Sequence, residues 1–163
     1  MPAHPATSPI SSGYNHMVAN WLFVMAGLVA MMVFIGGVTR LTGSGLSMVE
    51  WRPLMGTLPP LSEAEWLRVF GLYKSSPEFN EINSDMDLAG FKMIFFWEYV
   101  HRLWGRLLGL AFIIPLIFFF VRGMVPGGYG LKLVGLMVLG GMQGGIGWWM
   151  VASGLVDNPA VSQ

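Results

Sequence analysis

The sequence has no cysteine, which removes disulfides, thiolate metal sites and dithiol redox chemistry from this chain. It is also poor in charge. Acidic and basic residues together make 11% of it, against roughly 25% in soluble domains. Lys plus Arg and Asp plus Glu balance at nine each, so no positive excess points to nucleic acid. The opening stretch MPAHPATSPISSGYNHMVAN contains neither Lys nor Arg. That fits neither an Arg-rich organellar presequence nor the basic start of a secretory signal. What is abundant is apolar surface: hydrophobic residues make 54%, and the mean hydropathy is +0.59. Such a composition belongs in a lipid bilayer.

Three segments can span one. Trp21 to Val38 and Leu133 to Leu155 carry no charge. The middle segment has only fifteen uncharged residues, Leu107 to Val121, where about 20 are needed for a core of about 30 Å. It must therefore reach back to about Arg102. That places His101 at the edge of the hydrocarbon and Glu98 one turn outside it. The expected architecture is an all-α membrane protein with a tail at 1–18 and a membrane domain at 19–163. Its spans lie near 21–38, 100–121 and 133–155, with a long loop at 39–95.

Loop charge predicts the orientation. The link from Arg122 to Lys132 holds two cations and no acid, whereas Arg40 to Lys92 holds five basic and seven acidic residues. The short link and the N-terminus are expected in the cytoplasm, and the long loop in the periplasm of a bacterial inner membrane.

The long loop has structure of its own. In LSEAEWLRVFGLYKSSP, Ser62 precedes Glu65 by three residues, a capping-box pattern. Trp66, Val69, Phe70 and Tyr73 then recur at helical spacing until Pro77. This predicts a short amphipathic helix over 62–75, lying in the interface with its aromatic face on lipid or packed on other protein. Ser84 or Asp87 can start the next helix, which then runs through Lys92 into the second span. Pro115 is expected to bend that span without ending it, because a neighbouring helix can satisfy the freed carbonyl. The third span carries Gly140 with Gly144 and Gly141 with Gly145, a spacing that allows close helix packing. It also holds Gln143, which needs a partner at that depth, and Trp148 and Trp149, which suit an interfacial belt.

The segment FFWEYVHRLWGR concentrates the polar groups. At about 100° per residue, Glu98 and His101 share a helix face with Gly105 and Gly109. Arg102 follows Glu98 by four residues and can pair with it; Arg106 lies to the flank. An ordinary ion pair, a snorkelling Arg and an interfacial His would account for each group singly. Together they are expensive at a membrane edge and point to function. A neutral imidazole suits haem iron, and Arg groups suit carboxylates such as propionates. The two glycines would floor a trough for a flat ligand. A di-metal carboxylate site is disfavoured, since it needs the Glu-x-x-His motif twice.

Three ordered blocks, GGVTRLTGSGLSMVEWRPLMGTLPPL, FKMIFFWEYVHRLWGR and GGMQGGIGWWMVASGL, resemble the haem A synthase family, in its branch without a cysteine pair. The resemblance implies eight transmembrane helices in two four-helix halves, of which this chain would be an incomplete first half. It implies oxidation of a haem O ring methyl to the formyl group of haem A for cytochrome c oxidase, with electrons from a donor the sequence does not name. Glu98 would be the catalytic acid and His101 the iron ligand. Arg40, Arg102 and Arg106 are candidates for propionate contacts. A haem b cofactor would sit in the other half. Because the chain stops at Gln163, just past its third span, the family's facing histidine is expected beyond it. His4 and His16 lie on the wrong side to replace it. The 163 residues alone are expected to make no haem A without that other half or another copy. Two other classes compete: a haem-b electron carrier, and an oxidase assembly factor without catalysis.

Overall fold

The computed structural model describes residues 9–50 and 58–155, with side chains from residue 15 onward. The start of the tail, with His4, lies outside the described residues, as do 51–57 of the long loop and the segment VDNPAVSQ. Five helices and no strand are present among the described residues: α1 Pro9–Leu41, α2 Glu63–Lys74, α3 Pro77–Glu81, α4 Leu88–Val121 and α5 Gly130–Gly154. Three of them, α1 from Asn15 together with α4 and α5, are long and apolar enough to cross a membrane. The chain is an all-helical membrane protein.

The tail expected at 1–18 is already helical from Pro9. Proline's fixed φ suits a first helical turn. Val18 is buried against Phe119 and Met124, so this end of α1 has packing to hold it. The other end closes as a Schellman motif. Gly43 takes a positive φ of 60°, its amide donates to the Arg40 carbonyl, and the Ser44 amide donates to the Thr39 carbonyl. α4 closes the same way at Gly123, φ 63°, with Met124 donating to Phe119.

α4 starts where the Asp87 side chain accepts from the Gly90 amide at 2.8 Å. Its 34 residues make a rod about 50 Å long, well beyond a core of about 30 Å. The excess is taken as its N-terminal part, which α2 covers. The aromatic face of α2 turns onto α4 rather than onto lipid: Phe70 stacks on Phe91 at 5.0 Å, and Trp66 meets Phe95 edge-on at 5.1 Å. Tyr73 and Phe91 are fully buried there. The Ser62 cap is formed as the sequence suggests, accepting from the Glu65 amide at 3.2 Å.

Pro115 lies inside α4, which continues through it. A proline at 115 removes the donor that would serve the Ala111 carbonyl. The Trp21 indole of α1 donates to that carbonyl at 3.0 Å. A second indole, Trp104, donates to the Leu28 carbonyl at 3.1 Å. These two bonds fix α1 and α4 as an antiparallel pair. α5 packs on α4 less extensively. Gly140, Gly141, Gly144 and Gly145 have no atom within 4 Å of where a Cβ would stand, and Gln143 is exposed. At its C-terminal end α5 is close-packed: a Cβ on Gly154 would sit 2.9 Å from Leu46 Cδ2.

Candidate functional site

The Schellman turn at Gly43 sends the chain from α1 over the N-terminal half of α4. The next residues are small and polar, and Ser44, Leu46 and Ser47 are almost completely buried. This places two donors on Glu98, itself only 2% exposed. Ser47 Oγ donates to Glu98 Oε2 at 2.6 Å, and the Met48 amide donates to the same oxygen at 2.7 Å. Arg102, one turn along α4, pairs with Oε1. Arg102 also reaches the Met48 carbonyl at 3.4 Å. A carboxylate only accepts hydrogen bonds, and here both oxygens are engaged, one of them by a cation. Glu98 is therefore held rigidly, and the loop after α1 is pinned to α4 through it.

His101 lies one turn deeper and is half-buried. It faces α1 at Gly36. A Cβ on Gly36 would stand 3.3 Å from His101 Nε2, so the missing side chain makes room for the ring. One turn further, Gly105 is met by Met32 Cε at 3.5 Å from its Cβ position, while the Gly109 position is open. The trough read from the sequence is thus partly filled by Met32 and open at its deeper end. Arg106 is half-buried on the same helix, and Arg40 is exposed in the last turn of α1. Thr39, just before Arg40, is buried and hydrogen-bonds the Ile35 carbonyl at 2.9 Å.

His101 would hold a haem iron through a ring nitrogen. His101 presents a ring nitrogen beside glycines, with a fixed carboxylate one turn outward. His16 is no counterpart: it precedes Gly36 by 20 residues, about 30 Å along α1. Among the described residues no group of three His, Asp or Glu could hold a metal ion by itself.

Four contributors escaped the sequence reading. Ser47 and the Met48 amide reach Glu98 across about fifty residues of chain, and the only local hint is the Gly-Ser run after α1. Gly36 could have been suspected from its place in an apolar helix. Glu78, only 2% exposed, reads in the sequence as one more solvated charge of an acidic loop. That loop does carry solvated charges. Arg68 bridges Glu50 at 2.9 Å and Glu65 at 2.7 Å at the surface, and those two carboxylates hold its guanidinium above the usual range.

Comparison with known proteins adds three findings. Residues 19–163 match the family described as cytochrome oxidase assembly protein. A protein of Nitrosospira multiformis named heme A synthase is 56% identical over 146 residues, covering 90% of this chain and 41% of that protein. One of Rhodopseudomonas palustris with the same name is 52% identical over 163 residues, covering the whole chain and 44% of that protein. One of Beijerinckia indica, also so named, is 57% identical over 146 residues, covering 90% of this chain and 41% of that protein. The chain thus spans less than half the length of these curated relatives. No solved structure matches it.

Proposed function

The chain belongs to the cytochrome oxidase assembly protein family, and from that premise we propose that Glu98 and His101 form the substrate side of a haem A synthase. The observation that carries the proposal is the pairing of an immobilised, buried carboxylate with a glycine-flanked imidazole one helical turn deeper. The relatives' shared name supplies the substrate class, haem O, and the product, haem A. When bound, the haem supplies the iron and the methyl group to be oxidised.

The oxidation also needs electron transfer and an oxygen source from outside this chain; the chain's own residues hold and orient the haem and handle a proton. His101 offers a ring nitrogen toward α1, Gly36 makes room for the ring, and the open Gly109 position lies two turns deeper on the same face. Glu98 would be the group that handles a proton for the bound haem, a role that geometry must fix before acidity matters. Ser47, Met48 and Arg102 fix that geometry. Arg102 positions the acid through its pairing with Glu98 and its reach to the Met48 carbonyl. By charge and membrane depth, Arg40, Arg102 and Arg106 are the propionate candidates. Haem b is assigned to the second four-helix half that the family resemblance implies. The site faces outward from a bacterial inner membrane, with the N-terminus in the cytoplasm, as loop charge argues.

Haem extraction from the full-length protein purified from its membrane tests this reading. Haem O or haem A recovered together with haem b supports it. Haem b alone would instead make the protein an electron carrier, and no haem at all an assembly factor without catalysis.

A further inference from the structure

The stretch from Ser44 to Met48 touches all three spanning helices. Its start is tied to α1: the Ser44 amide donates to the Thr39 carbonyl at 2.9 Å, and the Thr42 and Ser44 hydroxyls hydrogen-bond each other. Its end is tied to α4, through the Ser47 hydroxyl and the Met48 amide on Glu98. Between these two anchors Leu46, fully buried, meets Gly154 near the C-terminus of α5. Gly154 and Leu133 are the buried residues of that helix, whereas the glycines in its middle meet open space.

The fit at Gly154 leaves no spare room. A Cβ there would stand 2.9 Å from Leu46 Cδ2, 3.0 Å from Cδ1 and 3.5 Å from Cγ. Carbon atoms in ordinary contact keep about 3.5–4.0 Å. Both Leu46 methyls face the position, so turning the side chain about its last bond leaves one of them against the added group. Full burial closes the other directions. Leu46 can yield only by drawing its backbone back, and the next residue on that backbone is Ser47. Gly154 is helical, without the positive φ of Gly43 or Gly123, so what it contributes is the missing side chain and not an unusual backbone.

We infer that Gly154 is a positioning residue for Glu98. It lets the end of α5 close on Leu46, and Leu46 in turn seats the Ser47 hydroxyl and the Met48 amide on the Glu98 side chain. A close-packed interior transmits strain, so a displacement at Leu46 reaches Ser47 and Met48 and is not absorbed on the way. The role rests on reading Glu98 as the acid that handles a proton; the seating of the loop does not.

Two measurements on the full-length protein test this. Hydrogen exchange at the Met48 amide reads the loop, and haem A formed per bound haem reads the site. Gly154→Ala should speed Met48 exchange about tenfold or more, the scale of overpacking a filled contact, while amides in the middle of α1 keep their rates. Haem A per bound haem should fall with it. Leu46→Val removes one carbon where Gly154→Ala adds one, so the double variant should return both readouts to within about threefold of the wild type. Met48 exchange that Gly154→Ala leaves within about threefold of the wild type overturns the proposal. So does fast exchange that persists in the double variant, because the effect then bypasses Leu46. If Gly154→Ala does not fold, the double variant decides: it should fold with Met48 exchange near that of the wild type, and its failure to fold overturns the proposal. Fast Met48 exchange with undiminished haem A also overturns it, and counts against Glu98 as the working acid. Unchanged Met48 exchange counts against the contact alone.

Discussion

Ser47→Ala is the smallest change that tests how Glu98 is held. It deletes one hydroxyl, which donates to Glu98 Oε2 at 2.6 Å inside a site that is 2% exposed. Hydrogen bonds to charged groups contribute about 1.5–3 kcal/mol, and burial puts this one in the middle of that range, at about 2 kcal/mol. The bond joins the loop after α1 to α4, so its loss loosens the loop without melting either helix. The Met48 amide donates to the same oxygen at 2.7 Å and is exposed only when the loop opens. Loss of about 2 kcal/mol should speed its hydrogen exchange roughly thirtyfold, since 1.4 kcal/mol is tenfold. Amides in the middle of α1 should keep their rates. Met48 exchange within about threefold of the wild type would refute the reasoning, because the hydroxyl would then contribute under about 0.7 kcal/mol.

Gly36→Ala places a methyl 3.3 Å from His101 Nε2, so the ring must shift by a few tenths of an ångström. The haem spectrum of the full-length protein should change or weaken, while Gly37→Ala, which meets open space, should leave it as it was. Trp21→Phe keeps the aromatic packing but strands the Ala111 carbonyl opposite Pro115, at a cost of about 1–3 kcal/mol. A lower melting temperature in detergent is expected, and an unchanged one would mean that carbonyl finds another donor. Reporter fusions at Lys74 and Gly127 should give opposite sides of the membrane; both on the cytoplasmic side would overturn the orientation argued from loop charge.

The helices were legible because they are local. Ser62 and Asp87 cap as their spacing suggests, and α4 runs unbroken from Leu88 because nothing before Pro115 interrupts it. Even the tolerance of Pro115 followed from membrane physics, although the sequence could not nominate Trp21 as the donor. The face of α2 was readable, but its destination was not. A stripe of Trp66, Phe70 and Tyr73 suits lipid and protein equally, and the projecting Phe91 and Phe95 of α4 decide the matter. The site divides in the same way. Glu98, His101 and Arg102 sit within five residues and were grouped by helical period. Ser47, Met48 and Gly36 reach that group only through the antiparallel packing of α1 on α4, which no local pattern encodes. Glu78 was hidden because acid content reads as solvation until a fold shows which acid is enclosed.

On the proposed function, Glu98 takes part in the chemistry and does not merely anchor the loop. Glu98→Gln in the full-length protein separates the two roles. Gln keeps the size of the side chain and one oxygen to accept from Ser47 or Met48, but it cannot take up a proton. The measurement is haem A formed per bound haem, by extraction and quantification. The account predicts that haem occupancy stays near that of the wild type while haem A yield falls by about 10²–10⁴-fold, the usual contribution of proton transfer. Wild-type haem A yield at normal occupancy would contradict it and leave Glu98 only as the partner of Arg102 and the anchor of the Ser47 loop.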